Sequence, residues 1–134
     1  QFGTGASFGF SPATRAEGVT PAADPHLPQP LWFKDYAVDV EQADPDSMLA
    51  LYRAALAIRQ ESLTATRDTT AEQVDMGDDV VAYTRAAVGG RVFTSITNFG
   101  NAPVALPDGS VVLASGPLTP EGQLPTDTSA WVIK

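Results

Sequence analysis

Between Gln1 and Pro30 no spacing of apolar residues near 2 or 3.6 lasts more than a few positions, and Pro12, Pro21, Pro25, Pro28 and Pro30 each forbid or penalise regular structure. The stretch reads as an arm. It is too long for an ordinary connection, which leaves a functional loop lying on a partner surface or a disordered tail. The aromatics Phe2, Phe8, Phe10, Trp32 and Phe33 favour the first, because disordered segments are poor in such residues.

The pattern changes at Asp44. Asp44 offers a capping oxygen, Pro45 suits a first helical position, and Asp46 places an acid where the helix dipole favours one, with Ser47 next. Met48, Leu49, Leu51, Tyr52, Ala55, Leu56, Ile58 and Leu63 then recur at spacings of 3 and 4, so a helix is predicted over 45–62, with a broad apolar stripe.

Beyond Thr70 the period becomes 2. Val80 to Thr84 and Val92 to Thr97 are β-rich runs with Gly89-Gly90 between them, a hairpin pattern. A two-residue turn would set Ala87 opposite Val92, Arg85 opposite Thr94, Tyr83 opposite Ile96 and Val81 opposite Asn98. The other face would then carry Ala86 with Phe93 and Val80 near Phe99. Turn signals at Gly77-Asp78, Asn98 to Asn101 and Asp108-Gly109 bracket further strands at 104–106, 110–114 and 130–133. Short strands at this spacing predict a mainly β, α+β chain with one long helix and an antiparallel β-sandwich or barrel.

Composition narrows the possible partners. The chain has 134 residues, enough for one core, and 11 Pro and 11 Gly concentrated toward its two ends. Its net charge of -8 would repel phosphate backbones and anionic lipid surfaces, so no nucleic-acid partner is expected. No apolar run approaches the ~20 residues that span a bilayer, and the first residues lack the pattern of a signal peptide, so no membrane partner is expected. With zero Cys, disulfides, thiolate nucleophiles and Cys-based metal sites fall away, which fits a reducing cytoplasm. The one His, His26, excludes multi-His metal centres, so no metal or cofactor is expected.

Acid-base hydrolysis needs two carboxyl groups facing each other across a cleft at ~5 to 9 Å. The chain offers Asp35 with Asp39, Asp44 with Asp46, and Asp78 with Asp79. Helix capping accounts for the second pair and turn formation for the third. Asp35 and Asp39 have no such explanation but stand in no motif. The run Gly3 to Phe8 fails the dinucleotide fingerprint because Phe8 stands where a third glycine is required. His26 lies in a Pro-rich loop, where a surface or packing role is the ordinary one. Trp32 and Trp131 could stack on sugar rings, although the strand setting of Trp131 suits a core residue. No complete catalytic site emerges from these residues.

Several segments, in this order, resemble a known family: Phe8-Gly9-Phe10-Ser11, Leu27-Pro28-Gln29-Pro30, and Asp44 to Arg53 followed by Leu56 and Arg59. Asn98-Phe99-Gly100, Pro103-Val104 and Leu106 to Gly109 ahead of the Val111 to Ser115 strand continue the pattern. Together they are similar to the C-terminal region of α-glucosidases of the oligo-1,6-glucosidase type, in the α-amylase superfamily of glycoside hydrolases. In that family a TIM barrel precedes an antiparallel β domain. The resemblance therefore implies that residues 1–62 end the barrel, with its last long loop at 1–43 and its final helix at about 45–62, and that 71–134 form the C-terminal β domain. The breadth of the helix stripe fits, one side for the barrel and another for the β domain. The family usually has Pro-Trp before its Leu-Pro-Gln-Pro segment, whereas this chain has Pro25-His26, which removes an aromatic from that point.

Such enzymes are retaining exo-acting glycosidases whose catalytic carboxylates sit on earlier barrel strands, so the resemblance assigns no catalytic residue to this chain. Its partners would be the rest of the parent glycosidase and, for the parent, an α-glucosidic oligosaccharide. The isolated segment would be prone to self-association through its exposed stripe. Active sites of barrel enzymes are assembled from loops at the face the arm leaves, so Phe8 and Phe10 would either line the substrate entrance or cover the rim without touching sugar. Two rival readings remain: a stand-alone carbohydrate-binding β-sandwich module, which would place Trp131 or Tyr83 at the surface, and a free-standing enzyme using Asp35 and Asp39.

Overall fold

The end of one short helix and the start of a longer one are fastened by a single serine. In the computed structural model, which describes residues 30–64, 66–67 and 69–134, a 3-10 helix over Leu31–Tyr36 leads into α1 (Val38–Ala43) and then α2 (Met48–Ser62). Ser47, buried, donates its hydroxyl to the Glu41 carbonyl at 2.6 Å, while its Oγ accepts from the Ala50 N–H at 3.2 Å. One side chain thus closes α1 and caps α2. This moves the cap by three residues from the expected Asp44. The Asp44 carboxylate instead accepts the Asp46 N–H at 2.9 Å, the turn bond that Asp commonly makes two residues ahead of itself, so Pro45 and Asp46 lie in a turn before the helix. The helix ends at Ser62, as the pattern predicts.

Backbone packing divides the chain inside α2, into Gln1–Arg53 and Ala54–Lys134. In the first unit Trp32 meets Phe33 and Tyr36 edge-on, with ring centres 4.5 and 5.8 Å apart. The second unit is built on one five-stranded antiparallel sheet, β1 (Ala71–Val74), β2 (Val80–Ala87), β3 (Arg91–Asn98), β4 (Ser110–Ala114) and β5 (Thr128–Ile133), in the order β1-β2-β3-β5-β4. The mainly β, antiparallel architecture with one long helix is the one expected. Segment 104–106 contributes a single bridge, Val104 to Leu124, in place of a strand.

The β2–β3 register differs from the expectation by one residue. Ala87 faces Arg91, Arg85 faces Phe93, Tyr83 faces Ser95 and Val81 faces Thr97. The loop is three residues, Val88-Gly89-Gly90, with φ of 78° and 73° at the two glycines, values that residues with a side chain seldom adopt. Because side chains alternate, the shift carries all of β3 to the other side of the sheet relative to the predicted pairing. Ile96 therefore joins Ala82, Ala130, Val132 and Leu124 in the core of the inner face, with Val74, Met76, Val80, Leu106 and Leu118 packed around them. The segments carrying Val104 and Leu124 close this face.

Among the described residues, the buried side chains of the outer face cluster at one end. There Ala87, Phe93 and Ile133 are buried, with Leu63, Val112 and Trp131 packed on them. A register shift between Val111 and Leu113 accompanies the placement of Val112 in this cluster.

Candidate functional site

The residues singled out in the sequence fall at several places along the chain. Phe8, Phe10, His26 and the Gly3 to Phe8 run lie outside the described residues. Asp35 is exposed on the 3-10 helix, Asp44 and Asp46 shape the turn between α1 and α2, and Asp78 and Asp79 form the turn into β2, where the Asp79 carbonyl accepts the Phe99 N–H at 2.8 Å. Among the described residues no group of three or more His, Cys, Asp or Glu could hold a metal, and no helix is long and apolar enough to cross a membrane.

One cleft of about 330 Å³ opens beside the β2–β3 loop, lined by Glu72, Thr84, Arg85, Arg91 and Val92 among others. Arg85 donates to Thr66 Oγ1 at 3.3 Å and Arg91 donates through Nε to the Val88 carbonyl at 3.0 Å. Glu72 is the one carboxylate in this lining, so the lining supplies no pair of carboxyl groups. The cleft has room for a small polar group.

The second feature is the rest of the outer sheet face. The observed register aligns Gln73, Tyr83, Ser95, Trp131 and Leu113 in one row across the five strands, and Val81, Thr97 and Ser129 in the next. Tyr83 is 46% exposed and Val81 42% exposed, while Trp131 is half-buried and meets Phe93 edge-on at 5.2 Å. The Thr97 and Ser129 hydroxyls bond each other at 2.8 Å. Of the two aromatics that a sugar-binding module would present, Tyr83 stands at the surface and Trp131 is largely occupied in packing. Sequence reasoning missed this row because its two-residue loop paired Tyr83 with Ile96.

The third feature is on α2, where Met48, Tyr52 and Leu56, four residues apart, remain 58%, 64% and 59% exposed. Residues at this spacing share one helix face. The broad stripe read from the sequence thus has a half-buried part, at Leu51, Ala55 and Ile58, and an exposed one.

No protein-family model and no curated protein matches the sequence. Solved structures do. The chain is similar to the trehalulose synthase MutB from Pseudomonas mesoacidophila MX-45 at 26% identity and a TM-score of 0.62, over 83% of this chain and 22% of that one. A MutB variant in complex with Tris matches over 92% of this chain and 25% of that one, at 23% identity and a TM-score of 0.63. The isomaltulose synthase SmuA from Protaminobacter rubrum shares the fold at 22% identity and a TM-score of 0.62, over 82% of this chain and 22% of that one. These neighbours are glycoside hydrolases of the α-amylase family, and the chain corresponds in fold to an α+β segment with a β domain of such enzymes. It spans between about a fifth and a quarter of their length.

Proposed function

We propose that these 134 residues are the non-catalytic C-terminal segment of a longer retaining α-glucosidase, of the oligo-1,6-glucosidase type, that releases terminal α-linked glucose from oligosaccharides. The observation that carries this reading is the lopsided match, 83% of this chain against 22% of a trehalulose synthase chain of the α-amylase family. The resemblance agrees with it, since it puts the catalytic carboxylates on barrel strands upstream. So does the α2 stripe, because Met48, Tyr52 and Leu56 form an apolar face of the kind a protein covers. In this reading α2 is the last barrel helix and residues 71–134 are the C-terminal domain, with the arm that carries Phe8 and Phe10 shaping the rim of the barrel.

The names of the neighbours favour a second reading of the parent, as an enzyme that forms isomaltulose or trehalulose. One experiment separates the possibilities. The upstream reading frame is expressed with this segment, and the products from maltose, isomaltose and an aryl α-glucoside are identified alongside any isomaltulose or trehalulose. Glucose release by the long form, with the 134-residue chain inert, is the expected result. Hydrolysis by the 134-residue chain alone would sink the proposal.

A further inference from the structure

The turn ahead of β4 sets an exposed carboxylate beside an unshielded amide. Asp108-Gly109 is the one Asp-Gly pair in the sequence, and both residues are exposed. The Asp108 side chain, 90% exposed, meets Lys134 Nζ at 3.2 Å, and the Lys134 side chain is itself 68% exposed. A surface ion pair of this kind restrains a side chain only weakly. Across the peptide bond, Gly109 has no Cβ to screen its nitrogen, and among the described residues its N–H donates no hydrogen bond. Acidic turns elsewhere are protected at the same atom. Ser47 after Asp46 donates its N–H to the Asp44 carbonyl at 3.2 Å, Val80 after Asp79 donates to the Gly77 carbonyl at 3.1 Å, and Pro45 after Asp44 has no N–H at all.

We propose that Asp108-Gly109 is a covalent modification site, at which the backbone isomerises to an isoaspartyl link and loosens β4. The Gly109 nitrogen, giving its proton to solvent, attacks Asp108 Cγ, and a carboxyl oxygen protonated by solvent leaves as water, closing a cyclic imide. Water then adds to the Asp108 backbone carbonyl carbon and breaks its bond to the Gly109 nitrogen, which takes up a proton. The chain now runs through Cβ and Cγ, with a free α-carboxylate beside it. One water leaves and one returns, so the mass is unchanged and no oxidant or reductant takes part. The fold magnifies the change. The added carbon enters the backbone directly before Ser110, whose pairing with Ile133 starts β4. There is little room for it, since even a Cβ on Gly109 would stand 2.7 Å from Val132 Cγ1 and 2.8 Å from the Ile133 carbonyl oxygen. β4 also lies at the sheet's edge, hydrogen-bonded on one side only, to β5.

The whole chain is held for weeks near neutral pH and body temperature. Isoaspartate is quantified as methyl uptake with an isoaspartyl carboxyl methyltransferase and located by peptide mass spectrometry, with Asp75 and Asp127, also exposed but followed by Met76 and Thr128, as internal standards. Asp108 should convert about tenfold or more faster than either. Equal rates would overturn the proposal. Asp108→Glu keeps the charge opposite Lys134 but would have to close a larger ring, so it should remove most of the methyl uptake. Uptake that persists in this variant would place the chemistry elsewhere and overturn the site. In the converted chain, separated by chromatography, the amides of residues 111–114 should exchange about fivefold or more faster, with β1 at the opposite edge unchanged. Exchange in β4 as slow as before would overturn the loosening. None of these readouts involves turnover, so they are independent of the glycosidase reading.

Discussion

Asn98 is the side chain whose loss should be felt most widely in the β domain. It ends β3 with no exposed surface, and its amide donates to the Ala102 carbonyl at 2.9 Å and the Leu124 carbonyl at 3.1 Å while its Oδ1 accepts the Gly100 N–H at 2.9 Å. Gly100 permits the approach, since a Cβ there would stand 3.2 Å from that oxygen and 3.1 Å from Asp79 Cβ. One amide therefore holds the turn after β3 and the segment that closes the inner face. Asn98→Ala strands three backbone groups at about 1 kcal/mol or more each and leaves a small void, for a total of roughly 3 to 5 kcal/mol. A domain has only about 5 to 15 kcal/mol to lose. At about 4 to 8 °C per kcal/mol the melting temperature should fall by about 12 °C or more, measured by circular dichroism and checked by urea unfolding. Asn98→Asp keeps the shape and the acceptor but cannot donate, so it should be at least as damaging at neutral pH. Asn101→Ala, in the same loop but exposed, should change stability by less than about 0.5 kcal/mol. If Asn98→Ala lies within about 1 kcal/mol of the unmodified chain, the three-bond account is wrong.

Gly109→Ala should cost about 2 kcal/mol or more, because φ is 143° and the added methyl would stand 2.7 Å from Val132 Cγ1 and 2.8 Å from the Ile133 carbonyl oxygen. Gly122→Ala, also at positive φ (77°) but in open space, should lose only about 1 kcal/mol in the same calorimetric comparison. Removing the shared cap with Ser47→Ala should destabilise α2 by about 1 kcal/mol, read as lower helical ellipticity at intermediate urea, with Ser47→Thr restoring most of it. Val88→Pro, which deletes the N–H bound to the Ser62 carbonyl at 2.8 Å, should speed amide exchange over residues 59–63, whereas Val88→Ala should not.

Much of the fold was readable wherever local pattern and tertiary use agree. β4 falls on 110–114 as predicted, because a turn at Asp108-Gly109 and a β-branched run point the same way. The start of α2 was misplaced because Asp44-Pro45 satisfies every local criterion for a cap. What the residues could not disclose is that Ser47 also reaches back to Glu41, a contact that exists only once α1 has formed. β1 was missed altogether. Ala71, Glu72 and Gln73 have little intrinsic strand preference, and the segment is a strand because it pairs with β2 at the sheet's edge. The candidate site was less legible still. Asp78 and Asp79 were correctly read as turn formers, whereas Asp44 and Asp46, read as caps, lie in the turn before α2, and the row of Tyr83, Ser95 and Trp131 depends on a register that local rules set one residue wrong.

That one residue has a physical origin. Two adjacent glycines at positive φ are what a tight two-residue hairpin demands, and reading them so made Val88 part of a strand. In the structure Val88 belongs to the loop, and its N–H donates to the carbonyl of Ser62, the last residue of α2, at 2.8 Å. The final carbonyls of a helix lack partners within it, and at a buried residue such a group must find one elsewhere. The hairpin meets that need with the extra residue in its loop. The same connection holds the hairpin beside the helix end, where Leu63 packs over Ala87, Phe93 and Ile133. The demand of a helix terminus thus fixes the loop length, the loop length fixes the register, and the register decides which side chains line the covered and open parts of the outer face. A residue that looked incidental beside two glycines therefore determines which surface the domain has left to offer a partner.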